Sequence, residues 1–387
     1  MNDRKILHLV IDLSGFGGAE MTLLRYLSAH PDAASQHRVL ALRGIKPGAS
    51  VGATLNAKGI DVQTLGIERI TDLPRGFIAL LGALRASHAT VLSAWLYYPA
   101  LIATLLRPFL PSKPRLIWHI RSLPYVRFRE KPFRWLAQRL LARLSSHTSL
   151  TIISNSEAAR AAHAALGYDV ARWHVIPNAI DPERYHPDET KRASIRRILT
   201  IHDDQFVIGA VGRDVPEKGF PDLLAAFAHV FNRLPTNEQN QNVLMIVGRG
   251  ITAEAPSFKT LLDAHKIPES SVRLLGARDD VPDVMNALDL FVMSSISESF
   301  PNVLAEAMAT ALPCISTDVG DCAAVLSDKQ FVVPPRAPEA LADAIRKMKA
   351  RPKEQRAEIG AQNRARIIAN YAPDKMINAF DRAFDGS

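Results

Sequence analysis

The chain has 387 residues, of which 47% are apolar and 22% charged; this excludes a disordered chain and indicates two or three domains. The formal net charge is +8, with 27 Lys and Arg against 14 Asp and Glu in residues 1–200 and 20 against 25 in the rest, so we expect an anionic partner for the first half. The longest apolar run, Trp95 to Leu106, is too short to cross a bilayer, and two cysteines exclude a disulfide framework, so a reduced, cytoplasmic setting is expected.

Short β-rich runs alternate with helical patterns through the first half of the chain. The predicted strands are Lys5–Ile11, Arg38–Leu42, Thr90–Ala94, Arg115–His119 and Thr151–Ser154. The predicted helices include Ala19–Ala29, Leu73–Ala86 and Phe133–Leu144. This alternation is typical of a parallel sheet that is covered by helices on both faces.

A proline-rich stretch from Val175 to Thr190 interrupts the alternation and is interpreted as a linker. A second series of predicted strands follows: Phe206–Val211, Val243–Val247, Val272–Leu275, Leu288–Val292 and Cys314–Thr317. Helical patterns such as Pro221–Asn232 and Pro338–Lys349 separate them, and an amphipathic segment, Lys375–Phe384, comes last.

We therefore predict an α/β fold of two Rossmann-like, doubly wound domains. The first covers residues 1–182, the second covers 183–372, and a C-terminal helix over 373–387 packs back on the first domain. Open α/β sheets bind ligands beyond the carboxyl ends of their strands. A central cleft between two facing sheets is therefore the expected ligand site.

The first candidate motif is the glycine-rich segment Ser14–Glu20, which follows a predicted strand and opens a helix. Gly17 and Gly18 would let the backbone approach a ligand, and the N–H groups of a helix N-terminus suit a phosphate. The alternative is a tight strand-to-helix turn with no ligand. The segment does not match the dinucleotide-binding glycine pattern.

The second motif, Val211–Phe220, also follows a strand and leads into a helix. Arg213 and Lys218 place two cations at the predicted carboxyl edge of the second sheet. An Arg fork matches phosphate oxygens, and Lys offers a mobile point charge. The alternative is that both are solvated surface charges.

The third motif, Ser294–Ala309, follows the predicted strand Leu288–Val292. Pro301 suits the first turn of a helix, so a helix is predicted to start there. Glu298 then lies in the loop and Glu306 lies among apolar helix residues, where an unpaired charge is costly. Two carboxylates here can accept hydrogen bonds from sugar hydroxyls. The alternative is an exposed loop Glu and a helix Glu paired with a nearby base.

These motifs together resemble the retaining glycosyltransferases of family 4, also called group 1 glycosyltransferases, which have the GT-B fold. The resemblance covers nearly the whole chain and is strongest from Asn178 to Leu326. It rests there on the order of "PNAID", "GRDVPEKGF", "SESFPNVLAEAMA" and "STDVGD". In the first half, Gly17–Glu20 matches the "GGAE" loop of the family, which is a weaker signal.

The resemblance implies a role for each polar group in these motifs. Arg213 and Lys218 would hold the donor diphosphate. Glu306 would bind the ribose hydroxyls and Glu298 the transferred sugar. The catalytic set that the resemblance implies is Glu298, His119, Arg213 and Lys218.

Further residues are implied as ligands of the donor. Gly17 and Gly18 would let the first domain close onto the phosphates, and Phe300, Asn302 and Val303 would contribute further donor contacts. His119, in "IWHIRS", would lie near the donor sugar and the acceptor. Without the family, a histidine that caps a buried strand is the simpler interpretation.

Three positions depart from the family pattern. Pro301 often is Gly in the family and has no backbone N–H to donate, so Asn302 and Val303 would supply the amides that face the phosphate. Ala311 replaces a usual Gly, so a turn there with positive φ would be strained. Asp321 replaces a common second Gly, where it could touch the donor or cap the next helix.

The expected reaction breaks the bond between an anomeric carbon and a phosphate, and cations stabilise the leaving diphosphate. Arg213 and Lys218 can do this without a metal, and no D-x-D pair lies at a plausible strand end. The expected enzyme is thus metal-independent, without a cofactor, and uses a UDP- or GDP-linked sugar. The resemblance implies that configuration is retained.

A basic segment separates the first motif from the linker. Ten Lys and Arg but one acidic residue, Glu130, lie from Arg107 to Arg143, with aromatic residues interleaved. Residues 128–145 are predicted to form an amphipathic helix, so an anionic membrane surface is the expected partner of residues 107–145. The alternative is a helix packed on its sheet with solvated charges. No nucleic-acid motif accompanies the segment, so no nucleic acid is expected.

The sequence therefore predicts a glycosyltransferase of hexosyltransferase type for polysaccharide biosynthesis. Its acceptor is expected to be a saccharide or lipid-linked precursor, at the inner face of the cytoplasmic membrane. One alternative is a sugar-nucleotide epimerase on the same scaffold, which would need no acceptor pocket. Another is a non-catalytic sugar-nucleotide binding module, which would not need both charge types.

Overall fold

A computed structural model describes residues 4–15, 17–46, 48, 50–69, 72–125, 131–232 and 241–386. The chain divides into two compact units. Unit 1 consists of Met1–Ala179 and Pro373–Ser387, and unit 2 consists of Ile180–Ala372. The boundary between the units lies inside the proline-rich stretch.

Unit 1 is built on a seven-stranded sheet in which each strand pairs with its neighbours in parallel. The strand order is β3-β2-β1-β4-β5-β6-β7. The strands are β1 (Ile6–Val10), β2 (His37–Ala41), β3 (Asp61–Thr64), β4 (Val91–Trp95), β5 (Arg115–Ile120), β6 (Leu150–Ser154) and β7 (Trp173–Val175). Every residue of β1 and β4 is buried, as expected for central strands with both faces covered.

The helices of unit 1 cover this sheet. They are α1 (Gly18–Ala29), α2 (Ala33–Gln36), α3 (Val51–Ala57), α4 (Leu73–Ala86), α5 (Tyr97–Leu106), α6 (Pro132–His147) and α7 (Glu157–Ala164), with the C-terminal helix described below. Residues 128–130, where the basic helix was predicted to begin, lie outside the described residues.

Unit 2 repeats the architecture with a six-stranded parallel sheet in the order β10-β9-β8-β11-β12-β13. Its strands are β8 (Phe206–Val211), β9 (Asn242–Val247), β10 (Val272–Leu274), β11 (Leu290–Met293), β12 (Cys314–Thr317) and β13 (Val332–Val333). Its helices are α8 (Glu189–Ile198), α9 (Phe220–Phe231), α10 (Pro256–His265), α11 (Val281–Asn286), α12 (Asn302–Ala309), α13 (Cys322–Leu326), α14 (Pro338–Lys349) and α15 (Lys353–Tyr371).

The C-terminal helix α16 (Pro373–Asp385) belongs to unit 1. Its Phe380 and Phe384 are at most 2% exposed, and the Phe380 ring lies 5.0 Å from the ring of Tyr26 in α1. Burial of an aromatic side chain stabilises a fold by roughly 1.5–3 kcal/mol. The last helix is thus part of the core of unit 1.

The helix that carries Glu306 begins one residue later than predicted. Pro301 has a ψ of 77°, outside the helical range, so α12 starts at Asn302. The Pro301 carbonyl still accepts the N–H of Ala305 at 3.1 Å, as an N-cap residue does. Glu306 therefore lies in the second turn of α12.

Within the described ranges, none of the helices combines the length and the apolar character that crossing a lipid bilayer requires.

Candidate active site

The sheet order of unit 2 reverses between β8 and β11. From β8 the chain runs outward to β9 and β10, and from β11 it runs the other way to β12 and β13. Crevices at such a switch point, beyond the carboxyl ends of the strands, are where open α/β sheets bind ligands. The loops that follow β8 and β11 carry the second and third sequence motifs.

Gly219 lets these two loops touch. It has a left-handed φ of 63°, and a Cβ at this position would come within 2.1 Å of the Ser294 carbonyl oxygen. The Ser294 hydroxyl donates to the Lys218 carbonyl at 3.0 Å. The Ile296 N–H donates to the Glu217 carbonyl at 2.8 Å. A larger residue at 219 would therefore push the loops apart.

An ion pair joins the side chains of the two loops. Lys218 Nζ lies 2.6 Å from Glu298 Oε1, and the two side chains are only 19% and 15% exposed. The Ser295 hydroxyl donates to the same carboxylate oxygen at 2.8 Å. Arg213 lies exposed in the loop after β8. The switch point thus carries an oriented ammonium, an oriented carboxylate and an accessible guanidinium.

A third loop, after β12, fixes the backbone of the second. A Cβ at Gly320 would lie 2.3 Å from the Glu298 carbonyl oxygen and 2.6 Å from that of Ser299. The Asp321 N–H donates to the Ser299 carbonyl at 3.1 Å. Asp321 occupies the N-cap position of α13, but its side chain makes no capping bond there. The structure thus does not support the capping role.

Helix α12 extends from this loop. Glu306 is 8% exposed within it. Phe300 is 3% exposed and its ring lies 5.6 Å from that of Tyr371, so its side chain belongs to the core. The Asn302 N–H donates to the Phe300 carbonyl at 3.1 Å, which leaves it less suited than predicted to face a phosphate. Val303 is half-buried.

In unit 1 the sheet order reverses between β1 and β4, and the first motif lies at that point. Gly17 is the N-cap of α1, where a Cβ would come within 2.3 Å of a Glu20 carboxylate oxygen. Gly18 and Glu20 line a cavity of about 220 Å³. Phe16, within the motif, lies outside the described residues.

His119, the remaining predicted site residue, lies at the interior of unit 1. It is 0% exposed, its ring stacks on Trp95 at 4.0 Å, and its Nε2 is 2.9 Å from the Ser93 hydroxyl. Burial holds the pKa of its imidazole well below the usual range. His119 is not among the residues that line the 220 Å³ cavity, whereas Arg121, two positions later, is.

The sequence interpretation missed Arg121. Three residues that directly follow neighbouring strands line the cavity: Ile11 after β1, Leu96 after β4 and Arg121 after β5. The rule that ligands bind beyond strand ends would have singled out Arg121 had β5 been extended by the single residue Ile120.

Two family models match the chain on either side of the unit boundary. The model described as "Glycosyltransferase Family 4" matches residues 16–184, and the model described as "Glycosyl transferases group 1" matches residues 191–366.

Curated relatives of this chain include bacterial glycosyltransferases. One is the UDP-Gal:alpha-D-GlcNAc-diphosphoundecaprenol alpha-1,3-galactosyltransferase of Escherichia coli, 32% identical over 39% of this chain and 38% of that protein. Another is the capsular polysaccharide biosynthesis glycosyltransferase CapM of Staphylococcus aureus, 25% identical over 72% of this chain and 74% of that protein. The alignments with the first three relatives span about two fifths of the relatives' own lengths.

Solved structures resemble the whole chain. Anabaena HepE in complex with UDP has a TM-score of 0.83 at 20% identity, over 99% of this chain and 100% of that one. WaaG, a glycosyltransferase of lipopolysaccharide biosynthesis, has a TM-score of 0.70 at 18% identity, over 96% and 98%. These likenesses confirm the predicted GT-B fold.

Proposed function

We propose a donor, an acceptor and a mechanism for this chain, which belongs to the group 1 and family 4 glycosyltransferases. Unit 2 binds a nucleotide sugar, and unit 1 binds a saccharide or lipid-linked acceptor. The observation that carries the proposal is the Lys218–Glu298 ion pair at the switch point of the second sheet. Bound UDP in HepE supports a uridine nucleotide, and the diphosphoundecaprenol-linked acceptor of the Escherichia coli relative supports a lipid-linked acceptor.

In the proposed reaction the acceptor hydroxyl attacks the anomeric carbon with retention of configuration. The electrons of the broken bond pass to the leaving phosphate oxygen, where Lys218 and Arg213 stabilise the charge. The departing phosphate accepts the proton of the acceptor hydroxyl. Glu298 holds the transferred sugar and Glu306 the ribose. The two cations supply charge that a metal would otherwise supply, so the enzyme is metal-independent.

Donor identity is tested first by thermal shift across UDP- and GDP-linked sugars. A ligand that binds only the folded state at 100 times its Kd stabilises it by about 2.7 kcal/mol. Purified protein is then incubated with the stabilising donor and candidate acceptors. A glycoside with free nucleotide is the expected product. Recovery of an epimerised donor, or binding without any donor consumption, would overturn the proposal.

Arg213 provides the test of charge stabilisation. Arg213→Ala should lower kcat/KM by at least about two orders of magnitude, because the leaving diphosphate loses a preorganised cation. Lys259→Ala, at an exposed position of α10, is the matched control and should keep full activity. A chelator should change neither rate. A strict requirement for Mg²⁺ would show that the charge-neutralising groups are misassigned.

We further propose that unit 1 docks on the inner face of the cytoplasmic membrane through α6. Its buried residues are Ala137, Gln138, Leu141, Ala142 and Ser145. Three of its large apolar residues, Phe133, Leu136 and Leu140, are instead 76%, 57% and 39% exposed. Exposed apolar side chains beside exposed cations are typical of helices that lie in an anionic lipid interface.

The cations of this face are Arg139 and Arg143, which are both exposed. Arg134 does not belong to it, because its Nη1 donates to the Tyr125 hydroxyl at 2.8 Å and its guanidinium lines the cavity of unit 1. Helix α6 thus has a side that packs on the sheet and an exposed apolar-basic side, so it combines both interpretations of the predicted amphipathic helix.

Vesicle sedimentation tests the membrane proposal. The triple variant Leu136→Ser, Arg139→Ser, Arg143→Ser should release the protein from phosphatidylglycerol vesicles, since both apolar insertion and charge attraction are lost. Raised salt should release the wild type in part. The control replaces Arg197 and Ile198, an exposed pair at the end of α8, by Ser. Equal binding of both variants, or binding to neutral phosphatidylcholine alone, would refute the docking face.

A further inference from the structure

The cavity of unit 1 contains a group that the proposed reaction does not use. It lies beyond the carboxyl ends of β1, β4 and β5 and has a volume of about 220 Å³. Pockets that enclose a whole ligand typically measure about 300–1,000 Å³. This cavity therefore suits a small group, or one end of a larger molecule.

Arg121 is the unusual residue of this cavity. Its side chain is 8% exposed, and its Nε and Nη1 have no hydrogen-bond partner among the residues that the structure describes. Its Nη2 donates to the side-chain oxygen of Asn178 and lies 3.4 Å from the Ile176 carbonyl oxygen. Within the described part of the chain no carboxylate forms an ion pair with it. A buried guanidinium left in this state is costly unless an anion completes it.

Burial also lowers the pKa of Arg121 to about 9, which still leaves the guanidinium charged at neutral pH. A guanidinium carries five N–H donors in a planar fork, which suits the oxygens of a phosphate or carboxylate. A buried guanidinium without a carboxylate thus has a chemical counterpart, an oxyanion in the cavity that Arg121 lines.

A second guanidinium lines the same cavity. Arg134 donates to the Tyr125 hydroxyl at 2.8 Å and lies 5.6 Å from the centre of the Tyr125 ring, so it is held against Tyr125. Gly18, at the N-terminus of the twelve-residue helix α1, also lines the cavity. A helix N-terminus favours an anion, so these features point to one kind of ligand.

One lining residue, Glu20, carries the opposite charge. Its carboxylate folds back toward the helix N-cap, where a Cβ at Gly17 would lie within 2.3 Å of its Oε2. Burial raises the pKa of this carboxyl, so its charge is less stable than that of a solvated Glu. Two guanidinium groups and one displaced carboxylate leave the cavity with a surplus of positive charge.

We propose that this cavity binds a phosphate group of the sugar acceptor, with Arg121 as its main ligand and Arg134 as the second. The assignment of an acceptor to unit 1 rests on the proposed function; the anion site itself does not. The phosphate belongs either to a lipid-linked diphosphate or to a soluble sugar phosphate, and both present the same oxygens to the two guanidinium groups.

The binding experiment uses the full chain with Arg213→Ala and Lys218→Ala, which removes the proposed diphosphate ligands of unit 2. Calorimetric titration with pyrophosphate should give saturable binding. Arg121→Gln and Arg134→Gln should each raise the Kd at least tenfold. Arg172→Gln, an exposed position of unit 1, should leave it unchanged. An unchanged Kd in both cavity variants, or no pyrophosphate binding at all, would overturn the proposal.

Two further measurements distinguish a lipid headgroup from a soluble phosphate, and an acceptor site from a donor site. Geranyl diphosphate replaces pyrophosphate in the same titration: tighter binding assigns the phosphate to a lipid headgroup, equal affinity assigns it to a soluble phosphate, and both sustain the site. In the chain with intact Arg213 and Lys218, Arg121→Gln should leave UDP affinity unchanged, while Arg213→Ala lowers it. Loss of UDP affinity in Arg121→Gln would show that Arg121 serves the donor, against the proposal.

A folding control keeps the test decisive. If Arg121 were only a structural residue, Arg121→Gln would lower the free energy of unfolding. If it is held for a ligand, removing the buried charge leaves apo stability unchanged or raises it, because the unpartnered guanidinium is costly. Arg134→Gln, at a partly exposed residue, provides the second variant should Arg121→Gln fail to fold.

Discussion

Glu298 and Glu306 occupy different surroundings at the same sheet edge. Glu298 lies in a loop, where Lys218 and Ser295 bond to one of its oxygens. Glu306 lies in the second turn of α12 and is 8% exposed. The family resemblance implies that Glu298 binds the transferred sugar, which reacts, and that Glu306 binds the ribose, which does not react.

The two glutamates should therefore fail differently when each is replaced by Gln. Glu298→Gln should lower kcat more than it raises the donor KM, because contacts to a sugar that gains positive charge strengthen in the transition state. Glu306→Gln should mainly raise the donor KM, because its bonds are similar in ground and transition states. Steady-state kinetics on folded variants decide between these outcomes; loss of kcat at unchanged KM in Glu306→Gln would reverse the roles.

Single residues of the second sheet edge could be singled out from sequence, but their pairing could not. The spacing around Lys218 and Glu298 placed both after buried strands, and strand ends meet at one edge. The 2.6 Å ion pair between them depends on Gly219 and Gly320 bringing three loops together. Arg121 escaped notice because its significance lies in partners that it lacks, which no linear pattern reports.

At the scale of elements, apolar patterning predicted the central strands and the edge strand β10, but it missed the edge strands β3, β7 and β13. Strand β3, Asp61–Thr64, has no fully buried residue, so it lacks the apolar signal. Strands β7 and β13 have only three and two residues, of which one in each is fully buried. These elements exist because a neighbouring strand offers them hydrogen bonds.

The backbone is strained at Ala311, two residues after the end of α12. Ala311 has a φ of 59°, the left-handed region that costs an L-residue roughly 1–2 kcal/mol. Glycine adopts this region freely but loses more entropy on folding. Ala311→Gly should therefore raise the free energy of unfolding by about 0.5–1 kcal/mol, measured by urea unfolding with circular dichroism.

Ala309→Gly is the matched control for this substitution. Ala309 lies two residues earlier, in the helix itself, where Gly costs about 1 kcal/mol relative to Ala. The two identical substitutions should thus change stability in opposite directions. A loss of stability in both would show that the Cβ of Ala311 contributes more through packing than its backbone costs.

At the scale of the whole molecule, the two-unit α/β architecture follows from the alternation of strands and helices in the sequence. The interior of unit 1, however, contains a buried network of polar side chains that the sequence did not predict. His8 links Ser93 and His37 through distances of 3.0 and 2.9 Å, and Ser93 reaches His119 at 2.9 Å. His8, His37 and His119 are at most 1% exposed. Sequence patterning could not reveal this network, because its members come from four different strands.

The network makes the stability of unit 1 depend on pH. Burial, together with neighbouring His8, His30 and Arg4, lowers the pKa of His37 to about 2, and burial lowers those of His8 and His119 well below the usual range. The unfolded histidines titrate near the ordinary value of about 6.5. Below about pH 6.5 the unfolded chain binds more protons than the folded one. The free energy of unfolding is therefore highest above pH 6.5 and falls as the pH drops toward the pKa values of the folded chain.

Each of these histidines should contribute a slope of about 1.4 kcal/mol per pH unit below pH 6.5. Urea unfolding between pH 7.5 and 5, followed by tryptophan fluorescence, reports on unit 1 alone because all four tryptophans, the last being Trp173, lie within it. His37→Asn should reduce this slope by the contribution of one histidine, regardless of how the substitution changes the free energy of unfolding at pH 7.5. His174→Gln, at an exposed position of unit 1, should leave the slope unchanged. The same slope in wild type and His37→Asn would mean that His37 accepts a proton in the folded chain. That result would refute the claim that the buried histidines stay neutral.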